Sequence, residues 1–107
     1  GRAIAAMQRR CDGWITNRHQ GGTCLAAPLT GELAALAEAA IAAVGACYGG
    51  VDLIRAPDGR LLVLEVNGIP AWSGLQSVTG TDIAAALVAD LQQRLAARHG
   101  AAQQICD

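Results

Sequence analysis

The sequence predicts an α+β fold in which helices pack against an antiparallel β-sheet, and three observations predict it. Two apolar-rich runs, Val51 to Arg55 and Leu61 to Asn67, flank the turn sequence Ala56-Pro57-Asp58-Gly59 and read as a β-hairpin. Leu33, Leu36, Ala37, Ala40, Ile41, Val44 and Cys47 recur at spacings of three and four, the stripe of a helix with one buried side. Ile83, Leu87, Leu91 and Leu95 repeat that rhythm near the C-terminus. The resulting order of strand, strand, helix, hairpin, helix lacks the strand–helix alternation of a parallel sheet.

Taken in order, Ile4 to Arg10 reads as a strand, and Cys11-Asp12-Gly13 opens a polar loop that ends at Gly21-Gly22. Thr23 to Pro28 returns as a short strand. Thr30 then offers an N-cap hydroxyl, and Glu32 places a carboxylate in the first helical turn, where the helix dipole favours it. That helix is expected to stop near Gly49-Gly50. In the hairpin turn, Pro57 presets φ and Gly59 accepts a positive φ. Gly68 to Gly80 holds too much Gly, Pro and Ser to be regular. The last helix is expected to be capped by Thr79 or Thr81 and to stop at Gly100, with a frayed tail beyond.

Composition narrows the function. The chain has 107 residues, 52% of them apolar, which suffices for one modest core, and only three aromatic residues, Trp14, Tyr48 and Trp72, so that core is expected to be aliphatic. Eight basic side chains nearly balance nine acidic ones, and no basic run is dense enough to follow a phosphate backbone, which argues against nucleic acid. Cys11, Cys24, Cys47 and Cys106 stand far apart without a zinc-finger spacing and read as reduced, cytoplasmic thiols. No apolar run reaches the roughly 20 residues of a membrane span, and no signal segment opens the chain. The chain starts at Gly1, with strand-like sequence from the outset, and reads as a piece of a longer protein.

The residues that carry chemistry lie in the hairpin. Asp52 on its first strand, and Glu65 and Asn67 on its second, interrupt otherwise aliphatic runs. Strand alternation puts Glu65 and Asn67 on one face and Leu62, Leu64 and Val66 on the other. If Arg55 pairs with Arg60 around a four-residue turn, Asp52 faces Val63 and lies diagonal to Glu65, about 7 to 8 Å away. Three oxygen ligands suit Mg²⁺ or Mn²⁺, and such ions complete their shells with water and substrate phosphates, which points to nucleotide chemistry. The same pattern also fits a solvated strand face whose acids pair with Arg10, Arg55 or Arg60.

Several segments together resemble one family. Gly50-Val51-Asp52, then Glu65-Val66-Asn67, Pro70 and Gly74-Leu75 resemble the GVD and EVNxxPxxxG(I/L) patterns of RimK-type ATP-grasp ligases. Upstream, Ala5-Ala6-Met7-Gln8-Arg9-Arg10 and Asn17-Arg18-His19-Gln20-Gly21-Gly22 are similar to that family's AA(M/I)xRR and NxHxGG segments, and Thr79 to Ala84 is similar to its TGxDIA helix start. The resemblance covers nearly the whole chain in order, and implies the C-terminal part of an ATP-grasp domain whose preceding part supplies the adenine pocket. It further implies two Mg²⁺ or Mn²⁺ ions held against ATP by Asp52, Glu65 and Asn67, with Asn17 beside the phosphates.

Asn17 and Arg10 are the candidate catalytic residues, with Arg10 and its neighbour Arg9 either toward phosphate or a substrate carboxylate or paired with surface acids. Gly68, Pro70, Trp72 and Gly74 mark a substrate loop whose backbone N–H groups are candidates for an oxyanion hole. His19 reads as a hydrogen-bonding scaffold. Ile15 stands where related ligases carry Arg, Trp14-Ile15-Thr16-Asn17 is also similar to the LysX-type ligases, and Trp72 adds bulk that is either a substrate wall or core. The activity implied is ATP-dependent ligation of an amino acid, glutamate by resemblance, to a carboxylate acceptor through an acyl phosphate. The isolated piece is expected to be inactive and, with apolar surface exposed, able to form homo-oligomers. The rivals are a non-catalytic nucleotide- or metal-binding module and a plain structural domain.

Overall fold

Hydrogen bonding organises the chain into two small ladders and three helices in a computed structural model that describes residues 1–10 and 23–106. Strand β1 (Met7–Arg10) pairs antiparallel with β2 (Thr23–Ala26), from Met7 opposite Ala26 to Arg10 opposite Thr23. The expected strand began at Ile4. Among the described residues its first positions have no partner strand: the ladder with β2 would next reach Ala27 and then Pro28, which has no N–H to donate.

Helix α1 (Gly31–Ala43) starts where expected, the Thr30 hydroxyl accepting the Leu33 N–H at 3.3 Å. It stops short of Gly49-Gly50. Gly45 takes a left-handed φ of 70°, its N–H donates to the Ala42 carbonyl, and the Ala46 N–H donates to that of Ile41, which is a Schellman close. Val44 and Cys47 therefore leave the expected stripe and are exposed, whereas Leu33, Leu36, Ala37, Ala40 and Ile41 are half-buried.

Strands β3 (Gly50–Arg55) and β4 (Leu61–Asn67) form the hairpin, on which α1 packs. The two ladders are separate two-stranded sheets, where one antiparallel sheet was expected: apolar runs reveal strands but not their neighbours. Arg55 ties hairpin to helix, its guanidinium donating to both Glu32 carboxylate oxygens at 3.0 and 3.4 Å and to the Gly59 carbonyl at 2.7 Å. That guanidinium holds the Glu32 carboxyl below its ordinary pKa.

Beyond the hairpin, a one-turn helix α2 (Ser73–Gln76) lies in the segment expected to be irregular, and α3 (Ile83–Cys106) follows. Asp82, not either threonine, caps α3, its carboxylate accepting the Ala85 N–H at 3.0 Å. The helix also runs through Gly100. One interior glycine costs about 1 kcal/mol relative to Ala, and Ala96, Ala97, Ala101 and Ala102 around it are the best helix formers. Among the described residues, Ile83, at 4% exposure, is the only buried apolar side chain, so the expected aliphatic core is far smaller than the composition allows. No helix among them is long and apolar enough to cross a membrane.

Candidate functional site

The hairpin turn sets the geometry of the candidate site. The Ala56 N–H donates to the Arg60 carbonyl at 2.7 Å and the Gly59 N–H to the Ala56 carbonyl at 2.9 Å, with Gly59 at a φ of 93°. The loop is thus three residues, Pro57-Asp58-Gly59, the arrangement in which a turn is followed by a left-handed glycine. Asp58 locks it by accepting from the Arg60 N–H at 3.0 Å and the Arg60 guanidinium at 2.7 Å. Arg55 consequently faces Leu61 rather than Arg60.

That register alone would set Asp52 opposite Leu64 and leave Glu65 on the other face. A bulge intervenes: Leu53 faces Val63, but Asp52 faces Glu65, so Leu64 is an extra residue in β4. The bulge restores the parity that brings the two acids to one face. They are direct cross-strand neighbours, whose Cβ atoms typically lie about 4.5 to 5.5 Å apart, instead of the expected diagonal pair. Asn67, opposite Gly50, shares this face. The expected set Leu62, Leu64 and Val66 is divided by the same bulge, with Leu62 now on the side of the acids.

Asp52, Glu65 and Asn67 are all exposed, whereas Val51, Leu53, Leu61 and Val66 on the opposite face are half-buried. Arg55 pairs with Glu32 and Arg60 with Asp58, and among the described residues neither Asp52 nor Glu65 makes an ion pair. The Asn67 side-chain carbonyl accepts the Ile69 N–H at 3.0 Å, which fixes its direction and leaves it a second lone pair. Three oxygen donors of this kind on one open face suit a hard divalent cation. Around them, Ile54, Leu62, Leu64 and Ile69 are exposed, Ile69 at 89%.

The post-hairpin segment is seated on this end of the hairpin. A Cβ at Gly50 would lie 3.0 Å from the Pro70 Cβ, so that ring rests on the β3 backbone. The Trp72 ring meets Tyr48 edge-on, with centroids 6.4 Å apart and planes at 81°. Pro70, Ala71, Trp72, Ser73 and Gln76 line an open pocket of about 450 Å³. Trp72 is half-buried and Gly74 buried, while Gly68 is exposed. The Ile69 N–H, committed to Asn67, is not free for an oxyanion hole.

Arg9 and Arg10 are exposed on β1, in the other sheet from the acids. Asn17, Ile15, Trp14 and His19 lie outside the described residues. Sequence reasoning missed the Leu64 bulge, for which no local signal exists. It also missed the Tyr48 contact, legible only in that both rings are scarce, and the role of Gln76, whose amide donates to the Thr81 carbonyl at 2.8 Å and accepts the Ile83 N–H at 2.9 Å.

Comparison with known proteins gives these positions a context. The family model of the RimK-like ATP-grasp domain matches residues 1–91. A tetrahydromethanopterin:alpha-L-glutamate ligase of Methanococcus maripaludis is 45% identical over 87 residues, covering 81% of this chain and 30% of that protein. The protein of the same description from Methanocaldococcus jannaschii is 43% identical over 91 residues, 84% of this chain and 31% of its own. A probable alpha-L-glutamate ligase of Xanthomonas axonopodis pv. citri is 40% identical over 94 residues, 86% of this chain and 32% of its own. The chain therefore spans less than a third of the length of these relatives.

Proposed function

The chain belongs to the RimK-like ATP-grasp domain family, and we propose that it is the C-terminal part of an ATP-grasp domain in a longer ATP-dependent carboxylate–amine ligase. In this reading it contributes the hairpin that holds divalent ions against ATP. The observation that carries the proposal is the β4 bulge, which turns Glu65 to face Asp52 beside Asn67, with neither acid in an ion pair among the described residues. A plain structural strand face gains nothing from unneutralised acids side by side, since like charges directly opposite are destabilising.

The reaction joins two substrates at the expense of ATP. A carboxylate oxygen of the acceptor attacks the γ-phosphorus and ADP leaves, giving an acyl phosphate. The amino group of the incoming amino acid attacks the acyl carbon, phosphate leaves with the electrons of the broken C–O bond, and the nitrogen gives up its proton. When bound, Mg²⁺ or Mn²⁺, two ions by family resemblance, would supply positive charge that offsets the negative charge of the phosphates during transfer. Asp52, Glu65 and Asn67 are the side chains that would hold it. Asn17 and Arg10 are the proposed contacts to phosphate or substrate, and the Gly68, Pro70, Trp72 and Gly74 segment is the proposed wall on the substrate side.

Glutamate is the amino acid proposed, following the names of the relatives. The exposed Ile54, Leu62, Leu64 and Ile69 around the acids support the reading that further protein, the preceding part of the same domain, covers this face. The test takes the whole enzyme with ATP, Mg²⁺ and glutamate, and a panel of carboxylate acceptors that includes tetrahydromethanopterin. Acceptor-dependent ADP release that Glu65→Ala abolishes is the expected result. ATP binding without turnover on any acceptor would instead favour a non-catalytic nucleotide-binding module.

A further inference from the structure

We propose that Gln76 is a positioning residue: its amide bridges the Thr81 carbonyl and the Ile83 N–H and thereby holds the Pro70 to Gln76 wall in register with the start of α3. The inference rests on the ligase reading for its substrate and on the geometry for its mechanism. Thr81 offers only a carbonyl acceptor here and Ile83 only an N–H donor, so the two bonds at 2.8 and 2.9 Å fix which end of the amide faces which.

The Ile83 N–H stands in the first turn of α3, where the helix itself provides no acceptor, and its residue is the most buried apolar one among those described. Gln76 thus satisfies a helix-terminal donor from outside the helix. Its own backbone N–H donates to the Trp72 carbonyl at 2.8 Å, closing the α2 turn. Gln76 also lines the pocket beside Trp72 and Pro70, and Pro70 rests against Gly50. A continuous set of contacts therefore runs from α3 through Gln76 and α2 to the end of the hairpin that carries Asn67.

Gln76→Glu separates positioning from stability. A carboxylate keeps an acceptor for the Ile83 N–H, at a helix N-terminus that favours negative charge, but offers no donor to the Thr81 carbonyl. Alanine removes both bonds.

The experiment uses the whole enzyme and compares Gln76→Glu and Gln76→Ala, each beside a counterpart that also carries Trp72→Phe, so that Trp72 emission is read by difference. ADP release is measured against L-glutamate and against ATP, using an acceptor that supports turnover, together with Trp72 emission and thermal unfolding. In Gln76→Glu the KM for glutamate is expected to rise about tenfold with the KM for ATP unchanged, and Tm to fall less than in Gln76→Ala. Trp72 emission shifts in both variants. A glutamate KM that stays put, or ATP and glutamate values that rise together, would overturn the inference. If the unsubstituted enzyme turns over on no acceptor, the ligase reading fails by itself. Trp72 emission then decides the positioning: a shift in Gln76→Glu supports it, and an unchanged spectrum overturns it.

Discussion

Gly49 is where the smallest perturbation should reach the hairpin most directly. A Cβ added there would stand 2.8 Å from the Asn67 carbonyl oxygen and 2.8 Å from the Ile41 Cδ1, short of the ordinary 3.4 Å by about 0.6 Å on each. The two obstacles differ. Ile41 ends in a flexible side chain on α1, which can swing aside. The Asn67 oxygen is backbone at the end of β4 and moves only with the strand. Overpacking of this kind costs roughly 1 to 3 kcal/mol, and about 1 kcal/mol lowers Tm by about 4 to 8 °C in a unit of this size. Gly49→Ala is therefore expected to lower Tm by several degrees and to weaken Mn²⁺ binding, measured by calorimetry, because the displaced strand end carries Asn67. Adding Ile41→Val removes the Cδ1 obstacle and should restore only part of the Tm. Unchanged Tm and Mn²⁺ affinity in Gly49→Ala would mean that the strand end accommodates the added methyl without moving Asn67, and full recovery in the double variant would show that the strand never had to move.

Deleting Leu64 is expected to regularise the hairpin and keep Glu65 opposite Asp52, with Mn²⁺ affinity within about tenfold of the parent; its loss would refute the parity account of the bulge. Thr30→Ala removes the α1 cap and should cost about 1 kcal/mol in denaturant unfolding, with Thr30→Ser restoring most of it. Glu32→Gln tests the tie between hairpin and helix through pH. Because Arg55 lowers the folded-state pKa of Glu32, the stabilisation is present above the ordinary carboxyl range and is lost as pH falls through the lowered value. The Tm gap between parent and variant should accordingly be small, positive at neutral pH, and closed in acid or in 1 M salt. A gap that persists in acid would assign the effect to packing.

Much of the fold was legible because its signals are local. The Thr30 cap, the turn glycine Gly59 and the stripe from Leu33 to Ile41 all act within a few residues of their own position. The errors arose where a local signal had a competitor. Gly45 ends α1 ahead of the more conspicuous Gly49-Gly50 pair, which serves instead for close approach to Asn67 and Pro70. Asp82 won over two threonines as the α3 cap, and Gly100 was outweighed by the alanines beside it. Strand pairing was the least legible, since nothing in a four-residue run names its neighbour, and two ladders stand where one sheet was read.

The acid face shows how two errors can offset one another. Pairing Arg55 with Arg60 in an unbulged ladder put Asp52 on the face of Glu65; the real turn moves the register by one residue and, alone, would have separated them. The extra Leu64 moves it by one more. Two single-residue slips add to an even shift, and an even shift preserves which side chains share a face. The sharing of a face by Asp52, Glu65 and Asn67 is thus insensitive to the error in register, while the spacing is sensitive, going from a diagonal to a directly opposed pair. An opposed pair brings the two carboxylates closer together and strengthens their repulsion. A bound cation would relieve that repulsion, so Asp52→Asn should raise the thermal stability of the ion-free protein and abolish its stabilisation by Mg²⁺. Lower stability of the ion-free variant would mean that Asp52 serves the fold rather than a ligand.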